Sequence, residues 1–249
     1  MNKSMIFLAL VGALTMQSCQ QKASDSIQAG NGDAEVETAV TNLSACEVRL
    51  GNLTFTHAMN GGDTCVEVRD KEMLAFRCTE GRDMFCDPNE GKLTNNTVPA
   101  LFLEVDNTRP FTFMAKVTPE FTEKGLYNAA DLLVFANDTL WQKLCFEQDE
   151  RGWHRIVTVR TQGTSDDNNH EKLTASAVYL KFSSDTHTLA SYYSLDKKEW
   201  QMVRLYKNYY PAKIYVGVAS QCPKVGSCTS LFEEMSLEQT TVSDFRLGN

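Results

Sequence analysis

The fold is decided by the stretch WQKLCFE at residues 141–147 and, after the turn at 149–152, by IVTVRT at residues 156–161. In both stretches apolar side chains recur at every second position, which is the period of a β-strand. The same alternation recurs at residues 111–117, 178–182 and 202–206. No stretch of about 11 residues has the apolar stripe of an amphipathic helix. The sequence therefore predicts an all-β protein.

Many short strands separated by turns favour two antiparallel sheets, because each sheet has to bury one face against another. Turn residues such as Asn60-Gly61-Gly62-Asp63 and Asp87-Pro88-Asn89-Glu90-Gly91 separate the strands. We expect one sandwich domain over residues 45–249.

The overall charge limits the possible partners. The chain has 249 residues, of which 24 are basic and 32 acidic, so its formal net charge is −8. A protein that binds nucleic acid through bulk positive charge is excluded on this ground. With 42% apolar residues the chain can bury a sizeable core.

The N-terminal residues are typical of an export signal. The apolar run from Met5 to Met16 follows Lys3 and is too short to span a hydrocarbon layer of about 30 Å as a helix. We interpret residues 1–18 as a lipoprotein signal peptide, because Gln17-Ser18-Cys19-Gln20 resembles the lipobox of bacterial lipoproteins. Cys19 is then the lipidated residue, and membrane contact is through this anchor only; plain secretion is the alternative. Residues 19–44 are small and polar, which indicates a flexible tether.

The sequence from about residue 65 to 235 resembles the domain of unknown function 1349 family. The stretches that carry the resemblance include Leu132–Phe135, Trp141–Glu147, Ile156–Asn168, Val178–Phe182, Tyr192–Ser194 and Val216–Pro223, with Asp83-Met84-Phe85 upstream. The resemblance implies a concanavalin A-like jelly roll, an architecture shared by many lectins and glucanases. It implies no particular activity, since a fold hosts many functions.

Side chains two residues apart on a strand share a face. If Leu144 and Phe146 face the core, Trp141, Lys143, Cys145 and Glu147 face the opposite way. By the same argument Val157 and Val159, Val178 and Leu180, and Val203 and Leu205 are expected in the core. The outward set then combines aromatic, basic and acidic side chains, which suits a saccharide: polar groups bind hydroxyls and aromatic rings pack on C–H faces. The predicted ligand-binding residues on this concave face, with neighbouring positions, are Trp141, Lys143, Glu147, Arg160, Asp166, Asp167, Tyr179, Lys181, Tyr193, Arg204 and Gln221.

Two interpretations of this face stay open. Trp141 and Tyr179 could pack against a loop, and Glu147 could form a structural ion pair with Arg160 or Lys181. The run Ser165-Asp166-Asp167-Asn168-Asn169 is either a ligand-binding rim or a turn stabilised by its own Asp and Asn side chains. We predict no metal site and no cofactor.

A reaction is the alternative to binding. Glycosidases need two carboxyl groups at a defined separation, and Glu147 with Asp166 or Asp167 is the candidate pair. The leading hypothesis is an envelope lipoprotein that binds a saccharide and is accessory to glycan capture or processing. A glycan-cleaving hydrolase or lyase is the second hypothesis, and a protein-binding or structural envelope module is the third.

Seven cysteines follow Cys19, so at least one is unpaired. Cys222 and Cys228 bracket a short loop, and we predict a disulfide between them in an oxidising compartment. A second bridge, between Cys78 and Cys86, is also expected. Cys145 lies in the middle of a strand and is predicted to be the free thiol. No spacing of the Cys-x-x-Cys type indicates a metal site.

Overall fold

The computed structural model describes residues 42–249, which contain seventeen strands and one short 3-10 helix at Gly62–Thr64. The signal peptide, Cys19 and nearly all of the tether lie outside the described residues. The strands are β1 (Leu43–Leu50), β2 (Leu53–Met59), β3 (Val66–Arg69), β4 (Met73–Thr79), β5 (Met84–Phe85), β6 (Asn95–Asn96), β7 (Ala100–Asp106), β8 (Phe111–Pro119), β9 (Ala129–Asn137), β10 (Leu140–Gln148), β11 (His154–Gln162), β12 (Thr164–Leu173), β13 (Val178–Ser184), β14 (Thr188–Ser194), β15 (Gln201–Lys207), β16 (Lys213–Gln221) and β17 (Ser227–Glu238).

The strands form two large sheets and one small hairpin. Sheet A has eight strands in the order β1-β2-β7-β16-β9-β10-β11-β12, and sheet B has seven in the order β15-β14-β13-β8-β17-β4-β3. Strands β5 and β6 form a separate hairpin. All pairings between strands are antiparallel. The predicted concanavalin A-like jelly-roll sandwich is confirmed. In residues 42–249, no helix is long and apolar enough to cross a membrane.

The main core lies between the two sheets. Leu144 and Phe146 of β10 contribute to it from sheet A, and Phe113 and Phe182 contribute from sheet B. All four side chains are fully buried, as the alternation in β10, β8 and β13 predicts. Burying each such side chain contributes roughly 1.5–3 kcal/mol to folding.

Sheet A is also covered on its outer face, the face turned away from sheet B. A second apolar cluster there joins Phe135 and Trp141 of the sheet to Met84, Val98 and the half-buried Phe85 around the β5–β6 hairpin. Strand β10 is consequently buried along nearly its whole length, on both faces. The hairpin and its loop form one wall of the cavity described below.

The orientation predicted for strand β11 is wrong. Phe146 pairs with Ile156 and Cys145 with Val157, so Ile156 faces the main core while Val157 and Val159 face outward. Both sides of this strand are apolar because both sides of sheet A are covered. Alternation alone could not distinguish them.

Candidate functional site

The register of sheet A aligns polar side chains across its outer face. One such row is here called the polar row. It contains Gln221 (β16), Glu147 (β10), Arg155 (β11) and Lys172 (β12), and the small side chain of Ala129 (β9) lies between Gln221 and Glu147. Directly paired residues project from the same face of a sheet. The row therefore crosses five neighbouring strands, a distance of about 19 Å at about 4.8 Å per strand spacing.

A chain of hydrogen bonds links the polar row to Lys143. The Lys143 Nζ donates to Gln221 Oε1 at 2.8 Å and to Asp83 Oδ1 at 3.2 Å. The Gln221 Nε2 donates to Glu147 Oε2 at 3.0 Å and to the backbone oxygen of Tyr127 at 2.8 Å. The amide of Gln221 is thus oriented by three partners, and it holds an acid and a base apart on the same surface.

These groups are almost completely enclosed. Lys143 is 3% exposed and Glu147 is 7% exposed. Burial raises the pKa of Glu147 well above its ordinary value, although Lys143 opposes this effect. Burial lowers the pKa of Lys143, but the attraction of Asp83 and other nearby acids outweighs it, so the net shift is upward. The site thus holds a permanent cation beside a carboxyl group that binds a proton easily.

Asp131 lies next to this network as a buried acid. It pairs with Cys145 across the β9–β10 ladder and is 1% exposed. Within the described part of the chain neither of its carboxylate oxygens has a hydrogen-bond partner. Burial raises its pKa to about 6, against the attraction of Lys143.

A cavity of about 460 Å³ opens above these residues. Lys143, Glu147 and Gln221 line it together with Tyr127, Phe85 of the hairpin and Asp167 of β12. Its walls also include parts of the loops at 92–94 and 223–224. The volume falls in the usual range for small-molecule sites, which combine apolar walls with a few placed polar groups.

Four of the residues predicted from sequence line this cavity: Lys143, Glu147, Asp167 and Gln221. Trp141 shares their face but is fully buried in the cluster under the hairpin. Its Nε1 donates to the backbone oxygen of Asp138 at 3.1 Å. Trp141 is therefore a packing residue, as the alternative interpretation of this face allowed.

Arg160, Asp166 and Arg204 do not share the cavity face, so their placement there was wrong. Arg204 donates from Nη1 to Asp166 Oδ2 at 3.0 Å and from Nε to Thr158 Oγ1 at 3.1 Å. The Arg160 guanidinium lies 4.6 Å from the centre of the Tyr206 ring. These contacts join β11 and β12 of sheet A to β15 of sheet B. The β14–β15 pairing contains a register irregularity, so Leu205 packs with the cluster around Tyr192 instead of the main core.

Tyr179, Lys181 and Tyr193 belong to sheet B, and their assignment to the concave face was also wrong. The Tyr179 hydroxyl donates to Glu234 Oε1 at 2.7 Å. The Lys181 Nζ donates to the backbone oxygen of Gly248 and lies 3.5 Å from the centre of the Trp200 ring. Tyr193 packs in the main core, and its hydroxyl donates to Glu171.

All seven cysteines from Cys46 to Cys228 are free thiols in this structure. The Cys222–Cys228 bridge is not formed, although both side chains lie with Cys78 in one buried cluster. The expected pairing of Cys78 with Cys86 is wrong, because Cys78 lies opposite Cys228 on the neighbouring strand. Cys86 lies near the hairpin and contacts the backbone oxygen of Asp138. Cys145 is buried on the outer face of sheet A.

Sequence reasoning missed three residues of the site. Asp83 and Tyr127 lie outside the long strands, where no alternation marks a face, and Asp131 lies in an otherwise apolar run at residues 129–136 of β9. Asp83 does fall in a stretch that carries the family resemblance. A single acid within Ala129–Phe135 was the available sign of Asp131.

The family model "Protein of unknown function (DUF1349)" matches residues 63–240. The chain belongs to this family. The match includes every residue that lines the cavity, so the cavity lies within the family's domain. The sequence has no significant match among curated proteins.

Solved structures share the DUF1349 chain's fold. A functionally unknown protein from Saccharomyces cerevisiae is 24% identical with a TM-score of 0.67, over 74% of this chain and 96% of that one. The Bacteroides ovatus protein "Xyloglucan PUL GH43B" is 14% identical with a TM-score of 0.55, over 83% and 41%. The GH43 protein BlXynB from Bacillus licheniformis is 13% identical with a TM-score of 0.53, over 75% and 36%. The chain thus spans about two fifths or less of these two GH43 proteins.

Proposed function

We propose that this protein is a bacterial envelope lipoprotein that binds a saccharide in the cavity on the outer face of sheet A. The observation that supports the proposal most strongly is the hydrogen-bonded set Lys143, Gln221 and Glu147, which is nearly enclosed yet lines an open cavity. The binding is accessory to glycan capture or processing at the cell envelope.

The donor and acceptor pattern of the cavity suits sugar hydroxyls. A hydroxyl both donates and accepts, and the cavity offers an ammonium donor at Lys143 and carboxyl acceptors at Glu147 and Asp167. Phe85 and Leu93 provide apolar wall on which the C–H face of a ring can pack. Because the protein already orients the amide of Gln221, binding costs little ordering of that side chain.

The solved structures of similar fold are in keeping with this proposal. Two of them are GH43 proteins, and one carries xyloglucan in its name. At identities of 13% and 14% the structural likeness shows a shared fold alone, so the argument for a saccharide rests on the cavity of this chain.

A glycan-cleaving enzyme is the second candidate, and one observation favours it. Glu147 and Asp167 line the same cavity, and burial raises the pKa of both carboxyl groups. They stand two strands and four residues apart in register, about 16 Å between Cα atoms. Inversion requires the two carboxyl groups to be about 6.5–9.5 Å apart, so the two side chains have to lean toward each other across the cavity for this reaction. Asp166 is not a candidate, because it is bound to Arg204.

A glycan array probed with the full chain in mild detergent tests the binding proposal. We expect binding to at least one glycan. The affinity for that glycan should fall at least tenfold in Lys143→Met and in Glu147→Gln. The matched controls are Lys116→Met and Glu233→Gln, which break a pair on the outer face of sheet B and should bind normally. Absence of binding to any glycan, or equal binding by all four variants, contradicts the proposal.

Mass spectrometry of the same glycans after incubation separates the two candidates. Cleavage predicts new products that disappear in both Glu147→Gln and Asp167→Asn. Binding without cleavage predicts recovery of intact glycans from the wild-type protein.

The lipid anchor is tested separately. Mass spectrometry of the exported protein should show an acylated N-terminal Cys19, and Cys19→Ala should move the protein from the membrane fraction to the soluble fraction. An unmodified Cys19 in the exported protein contradicts this part of the proposal.

A further inference from the structure

The polar row extends beyond the cavity onto the open edge of sheet A, and its character changes there. Its last two members, Arg155 and Lys172, are basic, and Lys172 lies on β12, the edge strand. Beside them stands Trp153, a tryptophan whose side chain is 38% exposed. The Lys172 Nζ lies 3.9 Å from the centre of its ring, and the Arg155 guanidinium lies 5.2 Å from it.

Only part of this positive charge is neutralised by the protein. Arg155 pairs with Asp149 at 2.7 Å, and Arg151, which also lies near the Trp153 ring, pairs with Glu150 at 2.5 Å. Among residues 42–249, no carboxylate lies within ion-pair distance of Lys172. The edge of the row thus presents an exposed ammonium group held against an aromatic ring.

The cavity end of the row has the opposite character. The cavity lining carries the carboxyl groups of Asp83, Glu147, Glu150 and Asp167 and the ammonium groups of Lys92, Lys143 and Lys224, so acids outnumber bases there. Asp83 pairs with Lys143, and Glu90 pairs with Lys92. The surplus of carboxyl groups makes the cavity less favourable than the edge for a negatively charged group. The row is about 19 Å long, which suits a ligand of several linked sugar rings more than a single ring.

We propose that the ligand is an acidic oligosaccharide, whose uncharged ring occupies the cavity and whose carboxylate or sulfate group binds Lys172 beside Trp153. This inference rests on the proposed saccharide binding and specifies its ligand class. Trp153, which sequence analysis did not select, then serves as the aromatic contact that was assigned to Trp141.

Matched pairs of glycans test the inference. An array carries each carboxylated oligosaccharide beside its methyl ester and each sulfated one beside its desulfated form, and is probed with the full chain. The wild type should prefer the charged member of its best pair by about threefold to fivefold, the upper part of the range for one exposed ion pair. The preference should fall at 0.5 M NaCl because salt screens exposed charges. The two kinds of pair show whether a carboxylate or a sulfate is bound.

Variants locate the contact. Lys172→Met should remove the preference while leaving the binding of the uncharged members unchanged. Lys207→Met is the matched control and should keep the preference. Lys207 ends β15 of sheet B, and its Nζ lies 5.2 Å from the centre of the ring of exposed Tyr209. Ligand-induced fluorescence change should be lost in Trp153→Phe and kept in Trp200→Phe.

The outcomes separate this inference from the proposed function. Glycan binding with equal affinity for both members of every pair overturns the acidic-ligand inference and leaves saccharide binding standing. A preference that survives Lys172→Met also overturns it. No binding to any member overturns both.

Discussion

The Lys143 ammonium group hydrogen-bonds to Asp83 and Gln221 beside the buried Glu147 and Asp131, so replacing it tests how the site is held together. Lys143→Met keeps most of the aliphatic volume and removes the charge. At an effective dielectric constant of about 20, opposite charges 3.2 Å apart, the distance from Lys143 to Asp83, attract by about 5 kcal/mol before desolvation is subtracted. Removing one partner of such a buried pair costs about 3–5 kcal/mol, because the other charge is left uncompensated.

The pH dependence of this loss identifies its cause. Without Lys143, the folded-state pKa values of Asp131 and Glu147 rise further above their unfolded values near 4. The penalty of a raised carboxyl pKa is absent below the unfolded pKa and grows with pH until the folded pKa is passed. We therefore expect the free energy of unfolding of Lys143→Met to fall by about 3–5 kcal/mol at pH 7, and by about 1–3 kcal/mol less than that at pH 5.

Urea unfolding of the full chain at both pH values measures this loss. The control is Lys116→Met, whose partner Glu233 lies 3.4 Å away in a half-buried pair, and a change of at most about 1 kcal/mol is expected. Two results would contradict the role of Lys143 in compensating the buried acids. One is a fall in the free energy of unfolding of Lys143→Met below about 1 kcal/mol at pH 7, and the other is a larger fall at pH 5 than at pH 7.

Three further predictions concern the same face. Asp131→Asn should abolish a wild-type loss of stability of about 2 kcal/mol between pH 4 and pH 6, because the Asp131 pKa is raised to about 6 from near 3.9; a free energy of unfolding, measured with urea, that changes equally with pH in the variant and the wild type contradicts it. Trp141→Phe should lower the free energy of unfolding by about 1–2 kcal/mol through loss of the hydrogen bond to Asp138 while leaving glycan affinity unchanged, and a tenfold affinity loss at unchanged stability would return Trp141 to the site. Gly217→Ala should cost about 3 kcal/mol or more, because a Cβ atom there would lie 2.1 Å from the Leu101 backbone oxygen; a melting temperature equal to wild type argues against so close an approach.

The fold could be predicted from sequence because period-two alternation is a local property. Leu144 and Phe146 identify their own strand and its core side without knowledge of any partner. Counting two residues from them also finds Lys143 and Glu147 on the opposite face. These assignments hold in the structure because the alternation in β10 has no irregularity between residues 141 and 147.

Sheet membership could not be predicted in the same way. Lys181 and Arg204 alternate correctly with their neighbours, but alternation does not state which sheet a strand joins. That depends on pairings between residues far apart in sequence, such as Lys181 with Met114. The predicted single face therefore combined residues of two sheets.

Covered faces and loops limited the prediction of the site. Val157 was assigned to the core because it is apolar, yet it faces the cavity and the hairpin. Asp83 reaches Lys143 from a loop 60 residues earlier in the chain, a contact that no local pattern encodes. Trp153 lies at a turn, where its aromatic character alone does not show toward which face the side chain projects.

The most direct test of saccharide binding in the cavity is a crystal structure of the full chain with the glycan that ranks highest on the array. We expect a sugar ring in contact with Lys143, Glu147 and Gln221, beneath the β5–β6 hairpin. A glycan bound on sheet B or between the loops, with the cavity free of it, contradicts saccharide binding in the cavity.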